Sequence, residues 1–104
     1  MKVTNIKRQR IPYVTKKQLA EELEISPNTV KTRIQEIEEE IQKGRYEEYA
    51  VMRDGQLLAV NYMVWIDYIT YRQRLREKNL RKFVPPFDPK KIASYAGINE
   101  SEAV

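Results

Sequence analysis

Residues Thr15 to Ile41 read TKKQLAEELEISPNTVKTRIQEIEEEI, and this stretch decides the fold. Thr15 is a helix N-cap residue, whose hydroxyl can accept from an unpaired backbone N–H. Leu19, Ala20 and Leu23 then supply the inward face of a first helix, with Ala20 small enough to let a second helix approach. Ile25 closes a tight turn. Ser26 caps the second helix, and Pro27 takes its first position, where the missing N–H costs nothing. Val30, Ile34, Ile37 and Ile41 recur at four, three and four residues, one apolar stripe at helical period. Glu24 occupies the turn, where the backbone usually favours glycine, at a cost of about 1 kcal/mol.

Opposite the stripe lie Asn28, Thr32, Gln35 and Glu39, flanked by Lys31 and Arg33. Two helices at a tight turn, the second with amides and hydroxyls facing outward, form the pattern of a helix-turn-helix, which lays one helix in the major groove of DNA. Asn and Gln pair bidentately with adenine, and Thr bonds a base edge or touches a thymine methyl. Ser26 and the first N–H groups of the helix can hold a phosphate, and Lys31 and Arg33 suit phosphate or guanine. Glu36, Glu38, Glu39 and Glu40 oppose both the helix dipole and the duplex. The expectation is that only the N-terminal half of the helix enters the groove, with the acidic end pointing away or toward another protein. The alternative is a plain helical hairpin of an unrelated fold.

Lys43-Gly44 should end the second helix, glycine taking the left-handed C′ conformation. Tyr49 to Arg53 then reads as a strand, Asp54-Gly55 as a two-residue hairpin turn, and Gln56 to Val60 as the returning strand, with Asn61 as cap of the next helix. In a winged helix-turn-helix the tip Arg53-Asp54-Gly55-Gln56 approaches the minor groove or backbone, with Arg53 as the contact; otherwise the hairpin only covers the core.

The Ser-capped helix-turn-helix, the acidic spacer, the DG hairpin and the strand LLAVN leading into an aromatic-rich helix resemble the excisionase and MerR-like winged-helix group, small members of which occur in phages and integrative elements. The resemblance covers about residues 13–75. It implies groove reading by Asn28, Thr29, Lys31, Thr32 and Arg33 with Arg53-Asp54-Gly55 as wing. For some members it implies DNA bending or a recombination-accessory role, for others transcription control. Glu24, the four Glu after Gln35 and the extension past Leu75 depart from the shared pattern.

Residues 62–78, YMVWIDYITYRQRLREK, should form one helix of about 25 Å. Its first two turns are apolar on nearly every side, and one face can close the core. The remaining aromatic surface needs cover; burial by the chain's own core or tail is favoured over self-association through this helix. Arg72 and Arg76 then share a face, either tracking phosphate or simply solvated. Phe83-Val84-Pro85-Pro86-Phe87 breaks the helix, with Phe83 and Phe87 able to pack across it. Asp88 caps a short helix that Gly97 terminates, with Ile92 and Tyr95 inward. The N-terminal arm, with Lys2, Lys7, Arg8 and Arg10, either reaches into a minor groove or forms a strand that Pro12 confines to a sheet edge.

Composition fits a single small domain of 104 residues. The expected architecture is mainly α with a small β-hairpin: a basic arm or edge strand over residues 1–14, a winged helix-turn-helix over 15–78, and a C-terminal helical extension over 79–104. The net charge of +4 is divided into two basic zones, residues 1–35 and 62–91, around the Glu cluster, which either suits a phosphate-gripping protein or merely keeps a small protein in solution. Without cysteine or histidine, thiolate metal sites and the commonest general base are excluded. With no Gly-rich phosphate loop either, an enzyme is the least favoured reading, and no cofactor, metal or small-molecule substrate is expected. No apolar run approaches the roughly 20 residues that span a bilayer, and the first residues lack the apolar centre of a secretion signal; the expectation is a cytoplasmic protein, with no membrane partner. Double-stranded DNA is the expected partner. A recombination accessory and a small transcriptional regulator compete within that reading, and a protein-interaction module on the same fold is the alternative to it.

Overall fold

A computed structural model describes residues 12–95. The chain is mainly helical with a small three-stranded antiparallel sheet. Strand β1 (Tyr13–Thr15) leads into α1 (Lys16–Leu23), a tight turn and α2 (Pro27–Gln42). A 3-10 turn at Glu48–Ala50 precedes β2 (Val51–Asp54) and β3 (Leu57–Asn61), followed by α3 (Tyr62–Leu75), a second 3-10 turn at Arg81–Phe83 and the short α4 (Pro89–Tyr95).

Local chemistry explains most boundaries. Thr15 and Gln18 form a reciprocal capping box: Thr15 Oγ1 accepts from the Gln18 N–H at 3.1 Å, and Gln18 Oε1 accepts from the Thr15 N–H at 2.9 Å. Glu24 ends α1 in the left-handed region at φ 57°, so the turn is made without glycine. Ser26 Oγ accepts from the Thr29 N–H at 3.2 Å, with Pro27 at the first helical position. Gly44 follows α2 at φ 93°, and Asn61 Oδ1 caps α3 by accepting from the N–H groups of Met63 and Val64.

Of the two readings of the segment before α1, the structure has the edge strand joining the hairpin. With Tyr13–Thr15 added, β3 lies in the middle, paired antiparallel with β1 on one side and β2 on the other. The backbone carbonyl of Pro12 accepts from the Tyr62 N–H at 2.8 Å and the Tyr13 hydroxyl donates to the Tyr49 carbonyl at 2.7 Å, fastening the start of this edge strand. Tyr49 and Ala50 belong to the 3-10 turn rather than to a strand. The hairpin loop is Gly55-Gln56, one residue later than expected, because Asp54 still pairs with Leu57. Gly55 at φ 59° then supplies the positive φ at the first central position that a type II′ turn demands.

Val30, Ile34 and Ile37 are fully buried against Leu19, Ala20, Leu58, Val60, Val64, Trp65 and Tyr68. The aromatic helix therefore spends Val64, Trp65 and Tyr68 on the chain's own core, while Tyr62 and Ile69 stay exposed. Leu23, expected inward, is half-exposed at the last residue of α1, where Leu19 and Ala20 supply the buried face. Leu75 at the end of α3 and, in the tail, Val84 and Phe87 pack on the core, with the Phe87 ring edge-on to Tyr46 at 5.2 Å. Phe83 does not pack: it is 68% exposed, since the 3-10 turn directs Val84 inward instead. Asp88 Oδ1 accepts from the Lys90 and Lys91 N–H groups and starts α4, where Ile92 is buried. Gly97 and the side chain of Tyr95 lie outside the described residues. No described helix is long and apolar enough to cross a membrane.

Candidate nucleic-acid interface

At about 100° per residue, the side chains of α2 divide into four lines. The apolar stripe faces inward. Asn28, Thr32, Gln35 and Glu39 form the outer line, and all four are exposed. Thr29, Arg33, Glu36 and Glu40 occupy one flank; Lys31 and Glu38 occupy the other.

The outer line presents what base recognition needs. Asn28, Lys31 and Gln35 are exposed. The Thr32 hydroxyl donates to the Asn28 carbonyl one turn back at 2.9 Å, so its oxygen can still accept. Ser26 is exposed, one lone pair holding the Thr29 N–H. Thr29 and Arg33 are half-buried, Arg33 Nη1 lying 3.6 Å from Glu36. Arg53 is exposed on β2, but its guanidinium fork holds Glu38 of α2 through Nε at 3.1 Å and Nη2 at 2.9 Å. It ties the hairpin to α2 rather than extending alone from the tip. Lys7, Arg8 and Arg10 lie outside the described residues.

The acidic end of α2 does not point away from the molecule, as the sequence suggested. Three of its four carboxylates fall on the flanks and meet arginines brought from elsewhere. Glu36 is buried and receives Arg72 through Nε at 2.7 Å and Nη2 at 3.1 Å, the Tyr68 hydroxyl at 2.8 Å, and Arg76 Nη1 at 3.4 Å. Glu40, also buried, receives both terminal nitrogens of Arg81 at 2.8 and 2.5 Å. Glu38 holds Arg53. Among the described residues, Glu39 alone of the four makes no ion pair and remains exposed. The cause is helical geometry: positions 36 and 40 share the flank that faces α3 and the tail, where burial of a carboxylate is tolerated only with charged partners.

These contacts set the electrostatics. The Arg72 guanidinium holds the Glu36 carboxyl below its ordinary 4.5, outweighing the opposing effect of burial. Burial and the bond to Glu36 push the Tyr68 hydroxyl up to about 12. Three of the four carboxylates at that end are thereby paired within the protein, and Glu39 is left exposed.

A further ion pair joins the segment after α2 to α3. Asp67 accepts from Arg45 Nε and Nη2 at 3.0 and 2.8 Å and from the Tyr46 hydroxyl at 2.5 Å. Burial raises the Tyr46 hydroxyl well above the usual tyrosine range, and the bond to Asp67 adds to it. Sequence reasoning missed this staple and the Glu36 hub. The four-residue spacings of Arg72/Arg76 and Glu36/Glu40 were the only signal, and they do not say which helix meets which. Compared with known proteins, no family model, no curated protein and no solved structure matches this chain.

Proposed function

We propose that this chain binds double-stranded DNA sequence-specifically, without catalytic activity, as a winged helix-turn-helix protein with a C-terminal helical extension, and that it serves as an excisionase-like recombination accessory factor of a phage or mobile element in the cytoplasm. The observation that carries the reading is the outer line of α2. Asn28, Thr32 and Gln35 are exposed together, beside Lys31, directly opposite the fully buried Val30, Ile34 and Ile37. A helix anchored on one side and lined with amides and hydroxyls on the other suits the major groove. The hairpin, tied to α2 through Arg53 and Glu38, supports reading it as a wing.

Selection of bound duplexes from a random DNA pool tests the proposal. A consensus should emerge, and binding should weaken steeply between low and physiological salt as counterions are released. No enrichment, or binding indifferent to salt, overturns it. An accessory factor should occupy adjacent sites and bend DNA; a small transcriptional regulator, the closest alternative, should occupy an operator and shift promoter output.

A protein-interaction module is favoured by one observation: Tyr49 and Phe83 are 62% and 68% exposed. Retention of a protein partner with none on duplex resin would support that reading over DNA binding. Self-association through the exposed Tyr62 and Ile69 of α3 would appear as a concentration-dependent mass in solution.

A further inference from the structure

The flank of α2 away from the hairpin carries more positive charge than its structural role requires. Glu36 is a single carboxylate, yet Arg33, Arg72 and Arg76 all lie within 3.6 Å of it. Only Arg72 grips it with two nitrogens at hydrogen-bonding distance. Each guanidinium offers five N–H donors, far beyond what one carboxylate accepts, and the cluster keeps a surplus of two positive charges. Arg76 is 48% exposed at its side chain and so reaches solvent. An open depression beside it is lined by Arg72, Gln73, Arg74, Arg76, Glu77 and Leu80, with Glu77 its only carboxylate among the described residues. Tyr68 bonds the same Glu36 oxygen as Arg72 and fixes the carboxylate in place.

A helix lying in the major groove has a phosphate backbone on either side. The hairpin stands on one flank of α2, through Glu38. The arginine cluster stands on the other, through Glu36. We propose that Arg33, Arg72 and Arg76, gathered around Glu36, seat a backbone phosphate of the duplex on the flank opposite the hairpin. The inference rests on the DNA reading above and adds to it a contact from α3, outside the helix-turn-helix and the wing. Glu36 serves as a positioning residue: it draws the guanidinium groups to the groove-facing helix, and their excess donors take the phosphate oxygens.

Arg76→Gln tests this in the full chain, because Arg72 keeps its two-nitrogen grip on Glu36 and the buried carboxylate stays paired. Fluorescence anisotropy on the selected duplex and on an unrelated one, across a salt series, reads the result. Losing one phosphate contact should lower the slope of log affinity against log salt by about 0.9, which between about 1 M and 0.15 M salt is about fivefold in affinity. The loss should be equal on both duplexes, and Arg76→Lys should restore most of it. Ethylation of phosphates on the selected site should interfere on both sides of the read bases, and Arg76→Gln should erase the interference on one side. Arg33→Gln carries the same test if melting shows that the Arg76 variant has lost its fold. An unchanged slope and affinity, with tight binding by the wild-type chain, overturns the phosphate seat and leaves the DNA reading intact. Failure of the wild-type chain to bind any duplex at low salt overturns both.

Discussion

Removing the Asp67 carboxylate should come close to unfolding the protein. Asp67 and Arg45 have side-chain exposures of only 2% and 9%, so water cannot replace the lost partner. Arg45 and Tyr46 follow α2, while Asp67 projects from α3; the staple therefore joins two elements 22 residues apart, and Tyr46 in turn carries the Phe87 ring of the tail. Asp67→Ala strands a buried guanidinium and a buried hydroxyl. Breaking such a pair costs about 3–5 kcal/mol, against a total of about 5–15 kcal/mol for a domain of this size. At roughly 4–8 °C per kcal/mol, the melting temperature should fall by about 12–40 °C. Urea unfolding followed by circular dichroism measures the change, with m expected to hold. The triple variant Arg45→Met, Tyr46→Phe, Asp67→Leu removes every polar member together. It should lie within about 2 kcal/mol of wild type, since much of the single-variant loss is the stranded charge rather than the net worth of the pair. A single-variant loss below about 1 kcal/mol, or a triple variant as unstable as Asp67→Ala, would refute the argument.

Other expectations follow from the same contacts. Glu24→Gly should raise stability by up to about 1 kcal/mol, because it relieves a left-handed residue at φ 57°; urea midpoints check it. Because Glu36 titrates lower in the folded state than its ordinary 4.5, its contribution is present above that value and fades as pH falls through the folded value. Glu36→Gln should flatten that part of the acid-unfolding curve. Tyr68 behaves oppositely. Its folded value of about 12 lies above the ordinary 10, so its contribution is full below pH 10 and is lost as pH rises toward 12, and Tyr68→Phe should blunt that alkaline loss. Asn28→Ala with Thr32→Ala should narrow the affinity gap between the selected duplex and random DNA, by about 1–3 kcal/mol per specified base pair lost, without altering the salt slope. A uniform loss on all duplexes would contradict their role as base readers.

What was legible in the sequence was local. Thr15 and Ser26 cap the helices they precede because the cap bond spans three residues. The stripe Val30, Ile34, Ile37 faces inward because periodicity alone fixes one face of a helix. Asn61 heads the aromatic helix for the same local reason as the other caps. The outward line Asn28, Thr32, Gln35 follows from the stripe, so the candidate reading face was visible before any fold was known.

The tertiary structure decided the fate of the charges. The partners of Glu38, Glu36 and Glu40 lie 15, 36 and 41 residues away, and no spacing rule reaches that far. Read in isolation, four glutamates at a helix end are a repulsive surface; folded, two of them are buried seats for arginines and a third holds the hairpin. The edge strand Tyr13–Thr15 was likewise an open choice, resolved when its partner β3 came beside it. Caps, turns and periodic faces depend on bonds within one turn of chain. Ion pairs and strand partners depend on which distant surfaces the burial of the core brings together.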